Sequence, residues 1–88
     1  MKLKYDFAVR EIVGEYIMVP LGAAALKFSG MISTSETGAA LAEALKDHVT
    51  RQELLQQLLE QYDIDEATAA ADLDLFLDQL RKLDLLIE

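Results

Sequence analysis

The sequence predicts an α+β fold with a winged helix-turn-helix-like order: an N-terminal three-stranded antiparallel sheet, then three helices. Three observations carry this. Residues 7–34 concentrate β-branched and aromatic side chains in short runs. Ser35, Thr50 and Asp65 then stand at intervals as helix-capping residues. Between them the apolar residues recur with helical period.

Each element has a local reason. "FAVREIV" (7–13) and "EYIMV" (15–19) read as strands, with Gly14 and Glu15 in a tight hairpin connection. Pro20 has no ladder donor, so it ends the second strand or lies on an edge. "PLGAAAL" is a small-residue connection whose three alanines suit one helical turn or a loop. "KFSGMIST" (27–34) reads as the third strand, with Phe28, Ile32 and Thr34 on one face and Ser29, Met31 and Ser33 on the other. Gly30 inside it marks a bulge or a close backbone approach.

Ser35 caps the first helix, which carries Leu41, Ala42 and Leu45 on one face. Thr50 and Glu53 form a T-x-x-E capping box for the second, whose apolar positions are 54, 55, 58, 59 and 62. Asp65 caps the third. Its Ala69, Leu73, Phe76, Leu80 and Leu83 make the core stripe, with Leu77 at the margin and Leu75 well off it. The closing "DLLIE" is an apolar tail expected to pack back on the core.

The chain has 88 residues, one domain over 1–88, with 52% hydrophobic residues, twelve of them Ala. No run approaches the ~18 apolar residues of a membrane span, and the N-terminus is unlike a signal peptide. A cytoplasmic location with no membrane partner is therefore expected. The absence of Cys fits it and removes disulfides, thiolate metal sites and thiol nucleophiles. Net charge is −8, with +1 in residues 1–34 and −9 in residues 35–88. An acidic second half repels phosphate backbones, so no nucleic-acid partner is expected. Asp72, Asp74 and Asp78 count against the third helix as a DNA reader. The acidity either selects protein and peptide partners or serves solubility.

The residue types of catalysis are missing. His48 is the only histidine and has no companion at metal-binding spacing. No phosphate-binding glycine loop occurs. The carboxylates at 63, 65 and 66 lack the glycine and terminal glutamate of a calcium loop and read as an acidic helix start. An acyl carrier would need Ser in an Asp-Ser-Leu context, and "TSET" does not supply it. The reading is therefore no enzyme and no cofactor.

Several stretches together resemble a known family. "STSETGAALAEAL" is similar to a motif running Leu-Asn-x-Thr-Gly-Ala and then Ile-Trp with two Leu: Ser35 stands for Asn, and Thr37, Gly38, Ala39, Leu41 and Leu45 match. Thr50, Tyr62 and Ile64 match the second helix; Asp72, Phe76, Leu80, Leu85 and Leu86 match the third. Thr34 replaces a Leu, Ala42 the Trp and Asp84 a Gly. This pattern resembles the PqqD family, named for pyrroloquinoline-quinone biosynthesis and often called the RiPP recognition element. The resemblance implies a non-catalytic peptide chaperone that captures the leader segment of a ribosomally made precursor. It presents that peptide to a modifying enzyme, often a radical SAM protein. The leader would lie along the third strand, in the groove toward the third helix. The residues themselves supply the candidate peptide-binding set. On the strand it is Phe28, Gly30, Met31, Ile32, Ser33 and Thr34, where Gly30 admits a second backbone and Met31 adapts to varied side chains. On the helix it is Leu75, which the core stripe does not require, with Asp72, Phe76 and Gln79 between it and that stripe. The alternative is a stand-alone adaptor or a homodimer joined edge to edge, because an unfilled strand edge invites pairing.

Overall fold

The computed structural model describes residues 1–28 and 30–88. Its elements are β1 (Lys2–Leu3), β2 (Phe7–Ile12), β3 (Glu15–Pro20), α1 (Ala23–Lys27), β4 (Ile32–Thr34), α2 (Glu36–Ala44), α3 (Arg51–Gln61), α4 (Glu66–Lys82) and β5 (Leu86–Ile87). A three-stranded antiparallel sheet in the order β2-β3-β4 precedes the long helices, as the α+β reading expects. The winged-helix likeness rests on that element order alone.

The β2–β3 hairpin closes on the pair Ile12↔Glu15, so its turn residues are Val13 and Gly14 rather than Gly14 and Glu15. Both have positive φ, 50° and 80°. A two-residue turn of this hand matches the twist of the flanking strands, and Asn-Gly suits it best. Val13 is β-branched in the left-handed region and 98% exposed, so packing gives it nothing in return. Val13→Asn should therefore raise the unfolding free energy by about 1 kcal/mol, read as a higher urea midpoint at unchanged slope. A lower midpoint would contradict the strain.

The third strand is shorter than predicted. Residues 23–27 form the helical turn α1, and Gly30, at φ 97°, breaks the extended run before β4. Ser29, expected on the same face as Met31 and Ser33, lies outside the described residues. What remains is Ile32–Thr34, paired as Tyr16↔Thr34, Ile17↔Ser33 and Met18↔Ile32.

All three predicted caps form. Ser35 Oγ accepts from the Gly38 N–H at 3.0 Å. Thr50 and Glu53 exchange both capping-box bonds, at 3.1 and 3.0 Å. Asp65 accepts from the Thr68 N–H at 3.2 Å. These satisfy amide donors that a helix start leaves free. The core gathers Phe7 and Met18 from the sheet with Leu41 and Ala42 of α2, Leu45 at its C-cap, Leu54 and Leu58 of α3, and Leu73, Leu77 and Leu80 of α4. Ala42, the family's Trp position, is fully buried. Leu77 is central rather than marginal, whereas Leu83 is exposed beyond the helix end.

The tail does pack back, as part of a second sheet. β1 and β5 pair antiparallel, Lys2↔Ile87 and Leu3↔Leu86. The Leu3 N–H also donates to Leu45 O at 2.9 Å and the Lys4 N–H to Leu85 O at 2.7 Å. Asp84 makes this path by doing what glycine usually does. Its φ is 57°, and it closes α4 in a Schellman motif. The Asp84 N–H donates to Arg81 O at 3.0 Å and the Leu85 N–H to Leu80 O at 2.9 Å. Asp is among the residues that tolerate this conformation, and Lys4 pairs its carboxylate at 2.9 Å.

Candidate functional site

Of the three-stranded sheet, β4 is an outer strand: one edge bonds to β3 and the other has no strand partner among the described residues. Beside it runs a groove of about 320 Å³ lined by Thr34, Ser35, Thr37, Asp72, Leu75, Phe76 and Gln79. The local sequence explains why these meet. Ser35 caps α2 directly after Thr34, so strand end and helix start form one wall with no intervening loop. On α4, Asp72, Leu75, Phe76 and Gln79 follow i, i+3, i+4 and i+7 spacing and make the other wall.

The two walls differ in character along their length. Phe76 is only 6% exposed, so its ring belongs to the core and floors the groove at once. Leu75 is 73% exposed and forms an apolar lip. Asp72 and Gln79 are exposed and polar at either side. Gly38 holds the walls together. A Cβ placed there would overlap Thr34 Oγ1 and stand 3.2 and 3.3 Å from two Phe76 ring carbons. The glycine therefore sets how closely α2 approaches both β4 and α4.

Of the ten residues expected at the site, Thr34, Asp72, Leu75, Phe76 and Gln79 line the groove. Ile32 and Ser33 complete the strand that borders it, Ile32 half-buried and Ser33 exposed on the opposite face. Gly30 and Met31 lead into the strand without belonging to it, and Met31 is 63% exposed. Phe28 stands apart. It ends α1 and packs edge-on against Phe7, ring centroids 6.3 Å apart, as part of the core margin. Sequence reasoning missed Ser35 and Thr37 as lining residues and Gly38 as their spacer. The available signal was the direct strand-to-helix junction in "STSETG".

A second hollow of about 380 Å³ adjoins the first through Thr34 and Ser35 and reaches Gly14, Glu15, Tyr16, Ser33 and Glu36. Here the Tyr16 hydroxyl donates to Glu36 Oε1 at 3.1 Å, tying β3 to the start of α2. That hydrogen bond is the main cause that pushes the Tyr16 phenol above its ordinary value. Tyr62 is pushed up as well, first by burial and then by the Glu36 charge. On the outer side of α4, Arg51 donates two bonds to Asp74, both 2.9 Å, joining α3 to α4. The same contact holds the Asp74 carboxyl below its ordinary value.

Fold and site together define a small α+β module in which an outer strand ends, at Thr34, on the wall of a helix-lined groove. The chain belongs to the PqqD family, whose model, described as coenzyme PQQ synthesis protein D, matches residues 15–86. Two solved structures share the whole fold. One is described as "TbiB1 in Complex with the TbiA(beta) Leader Peptide": 20% identity, TM-score 0.68, covering 97% of this chain and 93% of that one. The other is "Lasso peptide synthetase B1 complexed with the leader peptide": 14% identity, TM-score 0.66, covering 99% and 96%. Among curated proteins, none matches the sequence. No helix among the described residues is long and apolar enough to cross a membrane.

Proposed function

We propose that this chain is a non-catalytic module that captures the leader segment of a ribosomally made precursor peptide and presents it to a modifying enzyme. The observation that carries the reading is the unpaired edge of β4 beside the groove walled by Asp72, Leu75, Phe76 and Gln79. Membership in the PqqD family supports it, as do the leader peptides held by the two solved proteins of the same fold.

The mechanism is strand addition. A leader segment lying along Ile32–Thr34 extends the sheet, and alternate side chains turn into the groove. A strand this short supplies roughly two to four backbone hydrogen bonds, each contributing ~0.5–1.5 kcal/mol net. Ordering a flexible peptide costs ~2–5 kcal/mol, so the backbone bonds at best offset the ordering. Micromolar affinity needs about −8 kcal/mol. The balance must come from apolar leader side chains, each contributing ~1.5–3 kcal/mol on full burial. Leu75 and Phe76 are the surface that receives them.

The test is an NMR titration of isotope-labelled protein with the leader segment of a precursor encoded in its gene neighbourhood. Perturbed amides should map to residues 32–34 and 72–79. Perturbations confined elsewhere would sink strand addition at β4. Sedimentation of the free protein separates the rival use of the same edge: concentration-dependent dimers blocked by Pro at Ser33 would mean that a second copy fills it.

A further inference from the structure

We infer that the groove selects peptides carrying a Lys or Arg two residues from an apolar side chain, with Asp72 as the residue that reads the charge. This rests on the leader-binding reading and adds the chemistry of the partner. The first ground is the charge of the lining. Among the described residues, Asp72 is the only charged side chain lining the groove, and Glu15 and Glu36 are those lining the adjoining hollow. No described Lys or Arg lines either, in a chain of net charge −8.

The second ground is how the neighbouring carboxylates are used. Asp74 is held by Arg51 at 2.9 Å and Asp78 by Arg81 at 2.9 Å. Glu36 receives the Tyr16 hydroxyl. Among the described residues Asp72 has no ion-pair or hydrogen-bonded side-chain partner, although it lies on the same helix as those two pairs. The carboxylates on the far side of α4 are structural. The one turned to the groove is left for the occupant.

The third ground is spacing. Asp72 and Phe76 are one helical turn apart, about 6 Å along the axis at 1.5 Å per residue. Side chains two apart on a strand are separated by about 6.6 Å and point to the same side. A basic residue at one position and an apolar residue two further along therefore meet Asp72 and the Leu75–Phe76 surface together. An acidic peptide would place like charges side by side and is rejected.

The experiment selects a displayed library of random twelve-residue peptides on the wild-type protein and, in parallel, on Asp72→Asn. Asp72 is exposed, so the variant keeps the fold, which its NMR spectrum verifies. Peptides from the wild type should be enriched in sequences with Lys or Arg two residues from an apolar residue, on either side. A selected peptide should bind about three- to tenfold tighter than its Lys→Gln counterpart, and Asp72→Asn should abolish that preference. The variant leaves the chain strongly acidic, so a preference that persists in it comes from overall charge and overturns the proposal. Selected peptides without basic enrichment overturn it too, while leaving strand addition intact provided that they still perturb residues 32–34. If no selected peptide perturbs those residues, the leader-binding reading itself fails.

Discussion

Gly38→Ala should lower the unfolding free energy by about 1–3 kcal/mol, the usual cost of overfilling a packed site. The direction is the informative part, because alanine is otherwise the better helix former by about 1 kcal/mol. At Gly38 the added methyl overlaps Thr34 Oγ1 and presses on the Phe76 ring. Thr34 is β-branched and stiff at χ1, and it lies in a paired strand, so it yields only by shifting β4. Phe76 is nearly buried and cannot swing out without opening the core. Thr34→Ala removes the overlapping atom. In that background Gly38→Ala should cost less than half as much, a coupling that a double-mutant cycle measures directly. A stabilising Gly38→Ala, or strict additivity with Thr34→Ala, would show that the contact does not set the spacing. Because the same contact positions the edge strand, the single variant should also weaken leader binding beyond its loss of stability.

The three long helices were legible because their signals are local. Ser35, Thr50 and Asp65 bond to amides three residues away, and the sequence displays both partners of each bond. The helical wall of the groove was legible for the same reason, since the 3.6-residue period separates Leu75 from the core stripe. The edge strand was overextended because "KFSGMIST" alternates suitably, while the positive φ of Gly30 and the helical turn of α1 depend on the chain around them. β1 and β5 carried no strand signal, although the apolar tail that holds β5 was expected on the core. Each has two residues, and each exists only through the pairs Lys2↔Ile87 and Leu3↔Leu86, between opposite ends of the sequence. Asp84 stands where the family motif has Gly, and its φ of 57° is a left-handed conformation that the residue type does not announce. Gly38 was read as part of a motif. Its reason, the approach of two other elements, is visible only when Thr34 and Phe76 are brought beside it.

Leu75 and Leu77 provide the sharpest separation of folding from binding, since they share residue type and helix and differ in what covers them. Leu77 is fully buried in the core, so Leu77→Ala removes packed methyl groups and should cost about 2–5 kcal/mol. For a domain of this size that is a large part of the total stability, and the denaturation midpoint should fall accordingly. Leu75 is 73% exposed at the lip of the groove, so Leu75→Ala should leave the midpoint within about 0.5 kcal/mol of wild type. Its effect should appear on the leader peptide instead. Losing an apolar contact worth about 1–2 kcal/mol weakens Kd roughly five- to thirtyfold. The residual binding should keep its amide perturbations at residues 32–34, because the backbone pairing proposed on β4 does not involve Leu75. If Leu75→Ala destabilised the free protein like Leu77→Ala, the lip would belong to the core and the groove would be an accident of packing. If it changed neither stability nor affinity, the peptide would be held by the strand edge alone, and the α4 wall would have no part in choosing it.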